Sequence, residues 1–469
     1  MSHARWGMVA LGALGAGCAG SAETTPEPAI SWYADVAPIV AENCGSCHQD
    51  GDIAPFPLTT YDEVSALAVP IANAVRAGTM PPWPPGAGCN DYVGDRSLTD
   101  AERDTLLGWI DAGTPAGDPA TAAPVPTPPA PFATDLEVQL PEAYTPQTEP
   151  DDYRCQIVEW PVDHTTWITG LRVVPDQRSM VHHAIVFAAD AEAADTFREL
   201  DAADPGPGYT CFGGPTGSRE LDLDGLTLQE IMALAESGQI GAGATRWLGA
   251  WVPGADSEGF PAGTGLRMEP GQVLIVQMHY NTSSAEPVAD RSSVGFRLQD
   301  VPVEREAMIL PFTDLGWVTG LDALGGAMTI DAGDPAASHT TDTTGDGLFV
   351  QSAKEQLGLP EDAELVVHAV GHHMHQLGVK GHQALRHADG SDTCLLDIPD
   401  WDFSWQGGYE LVQPVPLADD DTLSLSCTWD NSAANQPIID GQVGEPQDVA
   451  WGEGTSDEMC LSTLYVTGP

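Results

Sequence analysis

Basic residues are scarce in this chain. Its 469 residues include 17 lysines and arginines against 69 aspartates and glutamates, which gives a formal net charge of −52 at pH 7. A nucleic-acid-binding protein needs a basic surface to neutralise phosphates, so this composition argues against nucleic acid as a partner. It also disfavours binding to anionic lipid. The surplus of carboxylates is typical of an acidic, well-solvated surface.

Long apolar runs are also missing from the sequence beyond its first segment. A membrane-spanning helix needs about 20 continuous apolar residues, and no stretch after residue 18 provides them. The first segment carries Arg5, then small and apolar residues through Leu14, then Gly-Ala-Gly-Cys18. It resembles a bacterial lipoprotein signal, with an ordinary signal peptide as the alternative. We expect an exported protein, in the periplasm or at the outer membrane, that meets the membrane only through a lipid anchor on Cys18.

The first chemically specific motif is Cys44-Gly-Ser-Cys-His48. This spacing is typical of covalent c-type haem attachment through Cys44 and Cys47, with His48 as an axial ligand, whereas a zinc site or a redox dithiol is the alternative. Residues 30–119 contain one methionine, Met80, and no histidine besides His48. We therefore expect one covalently bound haem c with His48 and Met80 as its ligands. That pair raises the reduction potential and serves electron transfer.

Two helices are predicted around this motif. The segment from Asp35 to Asn43 is amphipathic, and Thr99-Asp-Ala-Glu102 is a capping box that opens a second helix. The second helix has three apolar residues on one face, Leu106, Leu107 and Ile110. Residues 30–118 resemble the small class I cytochromes c, which implies a small all-α domain. The Pro- and Ala-rich stretch 119–133 is predicted to be a semi-rigid linker.

The rest of the sequence predicts β-structure. From Thr134 onward, short alternating or apolar runs recur between Gly, Pro and Asp turns, a pattern typical of antiparallel sandwiches or jelly rolls. The clearest strand candidates are Gly170–Val174, Ala184–Phe187, Val273–His279, Glu364–Val367 and Thr422–Ser426. Long helical patterns are scarce, and the best candidate runs from Leu226 to Ser237.

Four of the thirteen histidines fall between Val367 and Gly378. Alternate side chains of a strand share a face, so His373 and His375 are predicted to project together, opposite His368 and His372. A thioether donor, Met459, lies near the end of the sequence. Two imidazoles and a thioether suit a copper ion that cycles through Cu(I), although a surface His-x-His pair is a common alternative. We call His373, His375 and Met459 the methionine group.

A second set of candidate ligands is the adjacent pair His182 and His183, together with His279. We call these residues the three-histidine group. Adjacent residues of a regular strand face opposite sides, so His182 and His183 can meet one ion only at a bulge or a twisted strand end. Without such an irregularity, one of them is buried and the other exposed. Neither group contains a cysteine, which argues against a blue-copper site.

The order of these motifs resembles the copper type II, ascorbate-dependent monooxygenase family, which includes dopamine β-hydroxylase and the peptidylglycine α-hydroxylating enzyme. The resemblance covers about residues 151–465. It is carried by the segments Asp151-Asp-Tyr-Arg-Cys155, Val181-His-His183, Met278-His-Tyr-Asn281, His373-Met-His-Gln-Leu-Gly378, Trp401-Asp-Phe-Ser-Trp-Gln406, Cys427-Thr-Trp-Asp-Asn431 and Asp457-Glu-Met-Cys460.

The resemblance implies two jelly-roll copper domains, 134–300 and 301–469, that face each other across a solvent-filled cleft. By this likeness, the three-histidine group carries an electron-transfer copper ion. The methionine group carries a second copper ion, which binds O2 and hydroxylates the substrate. The resemblance also implies two disulfides, Cys155–Cys211 and Cys427–Cys460. Cys89 and Cys394 are left over, either as a bridge between the haem and catalytic regions or as free thiols.

These expectations add up to a copper monooxygenase that hydroxylates a C–H bond of a small organic substrate with O2. Electrons would pass from the fused cytochrome, or from an external donor such as an ascorbate-like reductant or a redox protein. The residues with which peptide-amidating relatives hold a peptide carboxylate are replaced by Gly371, Leu461 and Thr463, which disfavours a peptidyl-glycine substrate. The alternative is a non-catalytic haem–copper protein that transfers electrons or binds copper.

Overall fold

The structure is a computed structural model that describes residues 30–45, 47–49, 54–126, 133–211, 214–215, 245–252, 259–282, 286–321, 324–439, 442–452, 454 and 456–469. Three expectations fall wholly or partly outside these residues: the signal with Cys18, the middle of the 119–133 linker, and the helix from 226 to 237. Within the described residues, no helix is both long and apolar enough to cross a membrane.

The described part of residues 30–126 consists of helices and loops, with one isolated β-bridge at Tyr92. A π-helical turn, Trp32–Val36, leads into α1 (Ala37–Asn43), followed by α2 (Tyr61–Ala66), α3 (Ala68–Ala77), α4 (Asp100–Asp111) and a 3-10 turn, Pro119–Thr121. Both predicted helices are therefore present. Thr99 and Glu102 form the predicted capping box of α4. Leu106 is buried as expected, and Trp109 is buried in the same apolar core. Leu107 and Ile110 are only half-buried.

The remainder is mainly β, as predicted, and its large sheets are consistent with a β-sandwich. All five predicted strand segments lie in observed strands, although Glu364 precedes its strand. The strands are β1 (Leu136–Gln139), β2 (Asp151–Glu159), β3 (Thr166–Val174), β4 (Val181–Ala189), β5 (Tyr209–Thr210), β6 (Thr245–Trp251), β7 (Thr264–Met268), β8 (Val273–Asn281), β9 (Ser293–Gln299), β10 (Arg305–Phe312), β11 (Thr329–Ile330), β12 (Ala337–Thr344), β13 (Leu365–His373), β14 (Gly378–Arg386), β15 (Asp392–Ile398), β16 (Gly408–Leu417), β17 (Thr422–Trp429), β18 (Ile438–Ile439), β19 (Gln442–Val443), β20 (Val449–Ala450) and β21 (Leu461–Thr467). In the described part of this region, three helices lie between the strands: α5 (Ala194–Ala203), α6 (Leu315–Thr319) and α7 (Leu348–Gln356).

Among the described residues, the strands form one large sheet, one four-stranded sheet and two short strand pairs. The large sheet has the order β1-β9-β3-β7-β10-β6-β4-β8-β2-β5, and β10 also pairs with β21, which continues to β13 and β16. The second sheet has the order β12-β17-β14-β15. One apolar core gathers residues from β3, β4, β7, β8 and β9, and another gathers residues from β13, β14, β15, β17 and β21.

Strand β10 joins the two regions that carry the predicted ligands. Its residue Ile309 is the register partner of Trp247 in β6 and of Tyr465 in β21. Strand β6 is bonded to β4, and β21 is bonded to β13. The strands that bear His183 and His373 are therefore held in one continuous hydrogen-bonded sheet.

A connecting segment, residues 83–93, attaches the helical region to β15 and β16. The backbone amides of Gly86 and Val93 donate to carbonyls of these strands, at 2.7 and 2.8 Å. Within the same segment Cys89 forms a disulfide with Cys394. Of the two alternatives left open by the sequence, the bridge is the one observed.

The two disulfides implied by the family resemblance are also present. Cys155 is bonded to Cys211, and Cys427 is bonded to Cys460. The second of these fixes the chain directly after Met459 to strand β17.

Candidate functional site

A bulge in β4 brings the three-histidine group together. Val181 pairs with Tyr280 of β8, whereas His183 pairs with His279, so that the register shifts at His182. This is the irregularity that the adjacent pair requires, because it lets both imidazoles turn to the same side of the strand.

The nitrogen atoms of this group converge to metal-binding distances. The Nδ1 atoms of His182 and His183 are 3.3 Å apart, as are the Nδ1 atoms of His183 and His279. One nitrogen from each of the three residues lies within 4.8 Å of the others. Nitrogens bound to one ion at about 2.0 Å lie roughly 2.8–3.5 Å apart. The donor set therefore fits a single metal ion.

Neighbouring groups orient His279, and burial disfavours the charged forms of His182 and His183. The Nε2–H of His279 donates to Oδ1 of Asp151 at 2.8 Å, which assigns its free lone pair to Nδ1, facing the other two histidines. Its ring stacks on Tyr153, with centroids 4.1 Å apart. Burial, reinforced by the neighbouring imidazoles, lowers the pKa of His182 to about 4 and that of His183 well below its ordinary value. Neutral imidazoles offer the lone pairs that a metal ion needs.

The two histidines of the methionine group lie where β13 ends. His373 is the last residue of the strand, His375 follows two residues later, and their ring centroids are 5.0 Å apart. The Nδ1–H of His373 donates to Oε1 of Gln406, and the Nδ1–H of His375 donates to the carbonyl oxygen of Asp457 at 3.0 Å. Both Nε2 atoms are left available as ligands. Burial lowers the pKa of both histidines, to about 3 for His375.

Glu458 connects His375 to Met459. Its buried carboxylate accepts hydrogen bonds from the backbone amides of His375 and Leu377, at 2.8 and 2.6 Å, and from the indole of Trp429 at 2.8 Å. Burial raises the pKa of Glu458 to about 7, whereas these donors favour its charged form. The contacts hold the turn after β13 against the segment that carries Met459.

Both groups face the same cavity, which has a volume of about 470 Å³. Its lining includes His183 and His279 as well as all three members of the methionine group. The ring of Phe403 lies between the groups, with its centroid 5.3 Å from that of His182 and 6.0 Å from that of His375. Phe403 is therefore close to a histidine of each group on the wall of this cavity.

The other two histidines of the 367–378 stretch make contacts inside the protein. Nε2 of His368 is 2.9 Å from the hydroxyl of Thr467. The ring of His372 is buried, where Gln383 donates to its Nδ1 at 3.2 Å and Cys427 Sγ lies 3.3 Å from its Nε2.

The predicted haem ligands lie in the helical region. Cys44 caps the end of α1, and the Nδ1–H of His48 donates to the carbonyl oxygen of Phe56 at 3.1 Å, which leaves Nε2 available as an axial ligand. Burial, with a smaller effect of Cys47, raises the pKa of the Cys44 thiol to about 11. Met80 lies half-buried, two residues after Gly78 ends α3.

Sequence reasoning did not assign roles to several residues that position the ligands. Three of them contact histidines of the two groups: Asp151, Gln406 and Glu458. The fourth is Phe403, whose ring stacks on His182. Each belongs to a motif that carries the family resemblance. Nothing in their own type or spacing identifies their partners, because those partners lie up to 128 residues away in sequence.

The fold and the site together define a mainly β protein with two histidine-based donor groups on one cavity. No protein-family model matches the sequence, and no curated protein matches it. Among solved structures, this chain is similar to a chain in the structure of the infectious bursal disease virus Gx strain. The sequence identity is 8%, over 72% of this chain and 75% of that chain, with a TM-score of 0.15. The T13 particle of the same virus is similar at 8% identity over 72% and 78%, with a TM-score of 0.13. Similarities this low indicate neither a shared fold nor a shared function.

Proposed function

We propose that this protein is an exported, copper-dependent monooxygenase that hydroxylates a C–H bond of a small organic substrate with O2. The observation that carries the proposal is the pairing of two chemically different donor groups on one cavity. A protein that only stores a metal ion needs one group and no shared space between two.

The donors support copper at both groups. Three imidazoles suit copper in both oxidation states, and the thioether of Met459 favours Cu(I), the form that reacts with O2. Copper bound there would supply one-electron redox chemistry and O2 activation. Gln406 and the carbonyl of Asp457 set the orientation of His373 and His375, and Asp151 sets that of His279.

The proposed reaction inserts one oxygen atom of O2 into a C–H bond and reduces the other to water. One C–H bond of the substrate breaks, and a C–O bond forms with one atom of O2. The second oxygen atom leaves as water, which requires two electrons and two protons. A one-electron reductant of the ascorbate class, or a reduced redox protein, supplies the electrons. The apolar wall of the cavity limits the access of bulk water to the reacting bond.

The helical region is the proposed route of electron entry. Residues 30–118 would form a cytochrome c-like domain in which Cys44 and Cys47 attach haem and His48 and Met80 ligate it. The anchored Nδ1 of His48 supports this assignment. Residues 134–300 and 301–469 would each form a jelly-roll copper domain. Cys18 would carry the lipid anchor of an exported protein.

Replacement of Met459 by isoleucine tests the proposed function. The purified wild-type chain should contain two type 2 copper ions and one haem by metal analysis and EPR. Met459→Ile should abolish turnover and leave the haem spectrum unchanged, because only the thioether is removed. The conversion of ¹⁸O2 into hydroxylated product measures turnover. If Met459→Ile still turns over, the ligand assignment is wrong.

An oxygen pulse distinguishes the monooxygenase from a non-catalytic haem–copper protein. After anaerobic reduction, the monooxygenase should consume O2 and release hydroxylated product in equal amounts. A protein that only relays electrons or binds copper would be reoxidised without product, and that result would contradict the proposed function.

A further inference from the structure

The cavity between the two groups is walled mainly by apolar and aromatic side chains. Its described lining contains no aspartate, glutamate, lysine or arginine. Apart from the ligands, the side chains that enclose it are chiefly Ile185, Phe187, Trp247, Ile309, Val370, Phe403, Trp451 and Leu461. This composition contrasts with the net charge of −52, which the chain therefore carries elsewhere than on these walls.

Several neutral polar side chains of the wall already form hydrogen bonds within the protein. Gln277 donates to the carbonyl of Cys211 at 2.9 Å. Gln406 accepts from His373 and donates to the carbonyl of Phe403 at 3.0 Å. The hydroxyl of Tyr465 shares a hydrogen bond with Thr264 at 2.8 Å. A ligand that needs charged or strongly polar partners would have to break these contacts.

A side chain at position 371 would meet the neighbouring strand. A Cβ atom on Gly371 would overlap the hydroxyl of Thr463 unless that side chain moved. Glycine itself offers no side-chain group to bind an anion at this point of the wall. Burial of an unpaired charge in such a site is strongly unfavourable.

We infer that the substrate is an uncharged, apolar molecule that contains a ring, and that the cavity binds it by shape and apolar contact. The inference rests on the proposed function for the reaction, but the binding step does not require copper. A volume of about 470 Å³ lies in the range of small-molecule sites, and aromatic walls favour ring-shaped ligands. Acidic or amine-bearing substrates are disfavoured, whatever the charge of the outer surface.

Three ligands with one carbon frame test the inference: indane, 2-aminoindane and indane-2-carboxylate. Their binding to the full-length, metal-free protein is measured by isothermal titration calorimetry. Indane should bind with at least tenfold higher affinity than either charged congener, because the described walls hold no charged side chain to offset the hydration that the charged congeners lose. Equal or tighter binding of a charged congener would overturn the inference, as would failure of indane to bind.

Variants of Ile309 locate the bound ligand. Ile309→Phe fills the cavity and should weaken indane binding at least tenfold, whereas the volume-matched control Ile309→Leu should stay within twofold of wild type. Ile185→Phe fills the same cavity from strand β4. It is the variant to test if Ile309→Phe does not fold. Unchanged binding in a folded cavity-filling variant would place indane elsewhere and contradict the inference.

Copper titration of the same samples separates the two proposals. If copper binds to both groups but indane does not bind, the substrate class is wrong and the proposed function stands. If indane binds but copper does not, the cavity is an apolar binding site and the proposed function fails.

Discussion

Glu458 is the residue on which the geometry of the methionine group most depends. Its carboxylate accepts hydrogen bonds from the backbone amides of His375, Leu377 and Met459. No other described carboxylate contacts the backbone of two proposed ligands. Its effect on the site is positional, because its oxygen atoms face the backbone.

Glu458→Gln should loosen copper at the methionine group and leave the three-histidine group unchanged. The amide nitrogen of glutamine cannot accept a hydrogen bond, so at least one buried donor loses its partner, at about 1–3 kcal/mol of stability. Chelator competition should then reveal one tight and one weakened copper ion. Glu445→Gln, the same change at an exposed position, is the control and should alter neither. Two tight copper ions in Glu458→Gln would contradict the positional role.

Asp204 provides a pH-dependent contribution to stability. Its carboxylate pairs with both terminal nitrogens of the buried Arg154, at 2.7 and 3.0 Å, and this hydrogen bonding lowers its pKa to about 2. Because the folded-state pKa is lowered, the contribution is complete above about pH 4 and is lost as the pH falls towards 2.

Asp204→Asn should therefore reduce the free energy of unfolding by about 2 kcal/mol at pH 6. The difference from wild type should shrink as urea unfolding is measured at pH 3. Asp195→Asn, in an exposed pair with Arg198, is the control and should change stability by less than about 1 kcal/mol at either pH. A difference at Asp204 that is the same at both pH values would refute this linkage.

At the scale of elements, the bulge in β4 decides whether two adjacent histidines act together. His182→Ala and His183→Ala should each remove one ligand and lower the affinity for the first copper ion to a similar extent. If β4 were a regular strand, only one of the two variants would lower the affinity for copper. Copper stoichiometry and EPR measure the effect, with Ile185→Ala on the same strand as a control for general loss of stability. Full copper binding in either histidine variant would argue against the shared site.

The elements themselves were largely predictable from the sequence, because their signals are local. The capping box at Thr99 and the apolar run in β8 depend on neighbours a few residues apart. The possible bulge at His182 also followed from two adjacent histidines. The sequence left the Cys89–Cys394 bridge as one of two alternatives, and it did not predict the contacts of Phe403, because both join segments that only the complete fold brings together.

At the scale of the whole molecule, the Cys89–Cys394 disulfide ties the helical region to the β region. Beside it, the rings of Trp83, Tyr92 and Tyr409 pack together with centroids 5.5–6.3 Å apart. The bond spans 305 residues, so a cut in the peptide chain anywhere between the two cysteines leaves both products attached.

Limited elastase digestion within the Ala-rich stretch 119–133 tests this attachment. Nicked wild-type protein should run as one band on a gel without reductant and as two bands with it. The double variant Cys89→Ser and Cys394→Ser should give two bands in either case, and intact protein is the control. Two bands from nicked wild type without reductant would show that the bond does not form.

Strand β10 also limits how far the two donor groups can move apart. Since β10 is hydrogen-bonded to β6, β7 and β21, the two ligand-bearing halves cannot swing apart as on a hinge without rupturing main-chain bonds. A ligand in the cavity therefore meets both donor groups at a spacing that the main chain of the sheet sets.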